Sequence, residues 1–191
     1  MQNNCLNIAE AGASGVRKSS FINSSCGLTA EEEGGTHVDI VEAITEIALY
    51  FYPQNRSIVF WDLPGVGTTN FPREKFFQEV TFTKYDFFLI LSAGRFRDDD
   101  LWLAREVKRQ SKDFYFVRTQ MEVDVSKDQK AHPKTHDKRR IIYKIRTHIL
   151  KNLADHGFVD ASFFLIDSYN TSYSGYDFEN LKIFLVSKVD F

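Results

Sequence analysis

Asp62-Leu63-Pro64-Gly65 closes a run of four β-branched or aromatic residues, Ile58, Val59, Phe60 and Trp61, that reads as a short buried strand. The Asp62 carboxylate is thereby set at a strand's C-terminal edge. Open α/β sheets bind their ligands at that edge, and an aspartate there holds Mg²⁺ through water in P-loop NTPases. Gly65 lacks a Cβ, so its backbone N–H can come close to an oxyanion such as a terminal phosphate. Asp-x-x-Gly is short, and a plain strand ending in a turn has the same composition.

A second stretch, upstream, changes that balance. Gly12-Ala13-Ser14-Gly15-Val16-Arg17-Lys18-Ser19-Ser20 meets every fixed position of G-x-x-x-x-G-K-[ST] except the second glycine, which is Arg17. In such a loop the backbone N–H groups and the helix N-terminus cradle phosphates, Lys18 reaches the β and γ oxygens, and Ser19 ligates Mg²⁺. The competing reading is a Gly/Ser turn that only caps a helix. If the Arg17 position needs a left-handed backbone, arginine costs about 1–2 kcal/mol there. Its guanidinium, in turn, suits phosphate well.

These residues need a scaffold, and the chain predicts one. Residues 5–9, 46–52, 57–61, 86–92, 114–119 and 162–166 read as strands, with Pro53-Gln54-Asn55 turning the second antiparallel onto the third. The run 86–92 is almost wholly apolar, as a strand covered on both faces should be. Between strands, Phe76, Phe77, Val80 and Phe82 make one helical face; Asp98-Asp99-Asp100 leads a helix that ends in Lys108-Arg109, matching the macrodipole. Ile141, Ile145, Ile149 and Leu153 make another face, flanked by Lys138, Arg139, Arg140, Lys144 and Arg146. That helix reads as core-facing with a solvated basic side, an anionic membrane surface being the rival. Phe178, Leu181, Phe184 and Leu185 close the chain. Strands alternating with helices argue for an α/β sandwich on a mainly parallel six-stranded sheet with one antiparallel edge strand.

Composition bounds the function. With 191 residues, 18 of them Phe, the chain has material for one sizeable core, and residues 1–191 read as a single domain. A formal net charge of −2 argues against a general nucleic-acid binder. No stretch approaches the ~20 apolar residues of a membrane span. Met1-Gln2-Asn3-Asn4 shows neither a secretory signal nor a myristoylation site. Cys5 and Cys26 make no disulfide framework, and a cytoplasmic location follows as the simple expectation. His132 and His136 flank Pro133 without a third ligand, which is poor zinc spacing.

The chain resembles the immunity-related GTPases, the interferon-inducible class. The resemblance is carried by Lys18-Ser19-Ser20-Phe21-Ile22-Asn23, by Phe60-Trp61-Asp62-Leu63-Pro64-Gly65-Val66-Gly67-Thr68-Thr69-Asn70-Phe71-Pro72, by Lys84-Tyr85-Asp86-Phe87-Phe88 and by Phe114-Tyr115-Phe116-Val117-Arg118-Thr119. It implies a Ras-like P-loop NTPase sandwich, a G domain without the family's flanking helical domains, that binds GTP and GDP with Mg²⁺. It also implies nucleotide-dependent assembly with itself or with related GTPases, and peripheral work at the endoplasmic reticulum, Golgi or pathogen vacuole in cell-autonomous defence. By the same resemblance the nucleotide site comprises Gly12 to Ser20, Asp62 and Gly65. Its base-reading positions, Thr-Lys-x-Asp and Leu-Ser-Asn in the family, appear here as Thr119, Gln120, Met121 and Glu122, and as Ile166, Asp167 and Ser168. Asp124 would serve only after a two-residue shift. Thr36 and Thr45 flank the region of the switch threonine, and Val66 stands where Ras-like enzymes place the glutamine that orients water. A misplaced charge-assisted bond to guanine costs about 1.5–3 kcal/mol, which with Arg17 amounts to roughly two to four decades of affinity. Weak binding and slow hydrolysis are therefore expected; the alternative is a nucleotide-independent pseudo-GTPase that regulates catalytic relatives.

Overall fold

The computed structural model describes residues 5–33, 35 and 47–189. Strand β1, Leu6–Gly12, outruns the expected 5–9 by three residues. Glu10 interrupts the apolar pattern there, yet the backbone pairs on through it, against Asp62 on one side and Leu89 on the other. The sheet then accumulates β2, Ala48–Phe51; β3, Ile58–Asp62; β4, Phe87–Ser92; β5, Asp113–Arg118; and β6, Phe163–Leu165, in the order β2-β3-β1-β4-β5-β6. Every pair is parallel except β2 with β3. The β2–β3 turn is tied by Asn55 N donating to Tyr52 O and Ile58 N to Asn55 O. Glu46, Thr36 and Thr45 lie outside the described residues.

Among the described residues six α-helices cover the sheet. On one face α1, Lys18–Cys26, and α6, Phe178–Ser187, bury Phe21, Ile22, Phe178, Leu181 and Leu185 against Ile8, Phe60 and Leu89. On the other, α2, Arg73–Glu79; α3, Asp98–Arg109; α4, Met121–Ala131; and α5, Lys138–Asp155, enclose Phe88, Ile90 and Phe116. β4 lies between the two cores, and all six of its residues are buried.

Three details depart from the sequence reading. α2 buries Phe76 alone, while Phe77 is 41% exposed and leans on Phe82, which belongs to a separate turn of 3₁₀ helix, Phe82–Lys84. α4 has no counterpart in the periodicity, because only Met121 and Val125 of its residues are buried. α5 faces the core through Ile142, Ile149 and Leu153, with Ile141 and Ile145 partly buried beside them. Among the described residues no helix is long and apolar enough to cross a membrane.

Candidate functional site

The parallel strands end together, and the order around β1 reverses direction, with β3 on one side and β4 on the other. That is the switch point at which sheets of this kind open a crevice. At Gly12 a Cβ would lie 2.2 Å from the carbonyl oxygen of Leu91, so only glycine lets β1 end flush against β4. The loop then climbs to α1, where Arg17 takes the N-cap with φ 63° and ψ 43°. The missing glycine of the motif therefore does fall on a left-handed residue.

Arg17 is partly compensated. Its guanidinium stacks 4.8 Å above the ring of Tyr169, whose hydroxyl lies 3.4 Å from Ser20 Oγ. Tyr169 is 69% exposed, so this stack contributes about 0.5–1 kcal/mol, less than the ~1–2 kcal/mol of backbone strain. Tyr169 went unnoticed in the sequence because nothing in its local pattern points to the phosphate loop.

The turns after β1 and β3 meet. A Cβ on Gly65 would lie 2.9 Å from Ser14 N, and Thr68 Oγ1 braces the same turn by donating to Gly65 O. Lys18 is buried, with Nζ 3.5 Å from both Gly12 O and Ala13 O, so the loop is wrapped around its own lysine. Ser19 Oγ donates to Asp62 Oδ2 at 3.1 Å. Burial lowers the Lys18 pKa, and Asp62, Glu10 and Asp100 oppose the shift. Burial pushes Asp62 up to about 6, against the pull of Lys18 and the Ser19 hydroxyl.

Asp62 Oδ1 is buried without a hydrogen-bond partner. A carboxylate oxygen left unpaired beside a serine hydroxyl is the hard-oxygen chemistry that Mg²⁺ selects, so the residues present fit that ion. Glu10, next to Asp62 in the sheet, was missed by the sequence reading. It is fully buried, and both of its carboxylate oxygens lack hydrogen-bond partners. An acid between Ala9 and Ala11 in a mostly apolar strand was the available signal.

At the other end of the site most of the polar groups satisfy one another. Thr119 Oγ1 donates to Val16 O at 2.8 Å, and Gln120, at φ 59°, donates from Nε2 to Gly15 O at 3.0 Å. Asp167 accepts from the backbone N–H groups of Glu122 and Tyr169. Ser168 is buried beside it, its Oγ unpartnered. Glu122 accepts from Lys138 Nζ and from Asn170 Nδ2; burial alone would raise its pKa, but these bonds prevail and hold it below the ordinary glutamate range. Asp124 is paired with Arg118. Val66 is buried in the core on the α2–α5 face. His132 and His136 both face Asp128 through Nδ1. The structure thus brings Ser14 against Gly65, Ser19 onto Asp62, Val16 onto Thr119, Gly15 onto Gln120 and Glu122 onto Asp167.

Residues 1–190 match the family model described as "Interferon-inducible GTPase (IIGP)". The chain belongs to the interferon-inducible GTPase family. Mouse interferon-inducible GTPase 1 is 38% identical over 182 residues, covering 95% of this chain and 44% of the relative. The human immunity-related GTPase family M protein is 32% identical over 148 residues, covering 78% of this chain and 77% of the relative. The chain spans less than half the length of mouse interferon-inducible GTPase 1 and mouse interferon-gamma-inducible GTPase 10, both of which it matches. Among solved structures, Era in complex with MgGDPNP and a segment of 16S ribosomal RNA matches with a TM-score of 0.59 at 18% identity, over 96% of this chain and 56% of that one. An NFeoB protein of S. thermophilus bound to GDP and AlF₄⁻ reaches 0.61 at 12% identity, over 97% and 65%. These likenesses show a Ras-like fold, a six-stranded sheet with one antiparallel edge strand.

Proposed function

We propose that residues 1–191 act as a single G domain that binds GTP and GDP with Mg²⁺ and hydrolyses GTP slowly. The observation that carries this reading is the junction of the two turns: Gly65 against Ser14, and Ser19 on Asp62, with Lys18 buried beneath. In that arrangement the loop amides from Gly12 to Ser20 and the Lys18 ammonium hold the phosphates. Ser19 and Asp62 would hold Mg²⁺, which would supply charge neutralisation for the phosphates. The Gly65 N–H faces the terminal phosphate. Thr119, Gln120, Glu122, Asp167 and Ser168 line the base. Slow hydrolysis is supported by Val66, which points an apolar side chain into the core where a water-orienting group would stand.

Family membership supports assembly with itself or with related GTPases, peripheral attachment to endomembranes and a part in cell-autonomous defence. A specific observation favours the pseudo-GTPase alternative as a second reading: Glu122 is already held by Lys138 and Asn170. A fluorescent-GTP titration with and without Mg²⁺ decides between the two. Saturable binding that needs Mg²⁺ and falls about a hundredfold or more in Lys18→Met is the expected result, since the substitution removes the charge that meets the phosphates. Absence of binding by the wild type, restored in Arg17→Gly with Glu122→Asp, would instead establish the pseudo-GTPase.

A further inference from the structure

Glu10 is a buried residue beside the site that the proposed phosphate chemistry does not use. It stands in β1 with Asp62 as its register partner in β3, and because the two strands are parallel the two side chains leave the same face of the sheet. Its partner in β4 is Leu89, and from α1 the charged group that reaches it is Lys18, with the Cys26 thiol also within its electrostatic range. Among the described residues Lys18 is set against three buried carboxyls, Glu10, Asp62 and Asp100, and its ammonium already rests on Gly12 O and Ala13 O. Three carboxylate oxygens, Glu10 Oε1, Glu10 Oε2 and Asp62 Oδ1, are buried and unpartnered.

A glutamate with nothing to bind has no physical reason to occupy a fully buried position between two alanines. Two neutralising agents fit there: a proton or a metal ion. The donor set distinguishes them. Two carboxylates on paired strand positions and a serine hydroxyl bonded to one of them, all oxygen, make the beginning of a shell for a hard divalent cation, whereas a lone buried acid would need only a proton. We propose that Glu10 joins Asp62 and Ser19 as a third oxygen ligand for a divalent cation such as Mg²⁺ or Mn²⁺, so that this chain takes up the cation without nucleotide. The inference rests on the assignment of Asp62 and Ser19 as the cation ligands, but not on guanine recognition. In a site with Asp62 as its only carboxylate, the nucleotide's phosphates must supply much of the ion's coordination. Here the protein supplies the additional charge itself.

The test titrates Mn²⁺ into the nucleotide-free full chain and reads the free ion by electron paramagnetic resonance. The wild type is expected to retain one Mn²⁺ strongly, and Glu10→Gln, which keeps the shape but removes the charge, to weaken that binding by about 10- to 100-fold. Melting curves of the same samples supply a second readout: Mn²⁺ raises the melting temperature of the wild type more than that of Glu10→Gln. Should Glu10→Gln fail to fold, Glu10→Val, an apolar side chain suited to the strand, takes its place. No retained Mn²⁺ in the wild type, or equal retention by wild type and variant, overturns the proposal. Fluorescent-GTP binding is measured alongside: GTP bound only when Mg²⁺ accompanies it, with no Mn²⁺ retained alone, sinks this inference and spares the proposed function, and the converse result does the reverse.

Discussion

The two ends of the crevice treat their charged groups in opposite ways. At the phosphate end Lys18, Asp62 and Glu10 are buried together, and three of their four carboxylate oxygens have no hydrogen-bond partner. At the base end Glu122 is bound by Lys138 and Asn170, Asp124 by Arg118, Asp167 by two backbone amides, and Gln120 by Gly15 O. Unpaired buried oxygens carry a desolvation cost that a cation can offset, so the first region gains most from a charged ligand. The carboxylates of the second region are already bound within the protein, and a base must compete with Lys138 and Asn170 for Glu122. What the difference teaches is that a carboxylate at the family's position is not the same as a carboxylate available to a ligand.

The sharpest way to break this comparison is to restore the base end. Gln120→Lys with Glu122→Asp shortens the arm that Lys138 and Asn170 hold and returns a charge beside Gly15. GTP affinity is expected to rise about 10- to 100-fold, the worth of one charge-assisted bond to guanine, with no matching gain for ATP in competition against a fluorescent nucleotide. An unchanged affinity would mean that the inward bonding of Glu122 is not what limits the site.

A smaller effect is expected where the two ends touch. Arg17→Gly removes ~1–2 kcal/mol of left-handed strain and forfeits ~0.5–1 kcal/mol of stacking on Tyr169, leaving a net stabilisation of roughly half to one kcal/mol in urea unfolding. A loss of stability would show that the stack, not the backbone, dominates that junction.

The smallest effect concerns pH. Glu122 has a folded pKa below its ordinary value, so its bonds contribute stability that is fully present above the ordinary glutamate range and is lost as pH falls through the lowered value. The contribution is at most about 1 kcal/mol, because the pair is partly exposed. Melting temperatures of wild type and Glu122→Gln should therefore differ at neutral pH and converge under acid. Asp62 is shifted the other way, up to about 6, in keeping with the contrast between the two ends. A difference that persisted at low pH would show that Glu122 is held by shape instead of charge.

Much of this was legible residue by residue. The apolar run 86–92 announced a strand covered on both faces, and β4 is that strand. The Pro53-Gln54-Asn55 turn announced the antiparallel edge, and the spacing from Gly12 to Ser19 announced a loop that ends in a helix beginning at Lys18. α4 was illegible because it buries too few apolar side chains to mark a face, being held chiefly by its ends and by Met121 and Val125. Glu10 was passed over because strand patterning treats an acid as an interruption, whereas a paired backbone carries it into the core.

The sequence by itself determined the strands, the lysine and serine that open α1, the aspartate that ends β3 and, through them, the family. These are local matters, decided by spacing and by where apolar residues fall. Which oxygens are left unpaired was decided only by the tertiary structure. Burial and partnership depend on residues that the chain brings from elsewhere: Asp62 beside Glu10, Lys138 and Asn170 onto Glu122, Tyr169 onto Arg17. A side chain's charge is written in the sequence, but whether that charge is free to meet a ligand is set by what the fold packs against it.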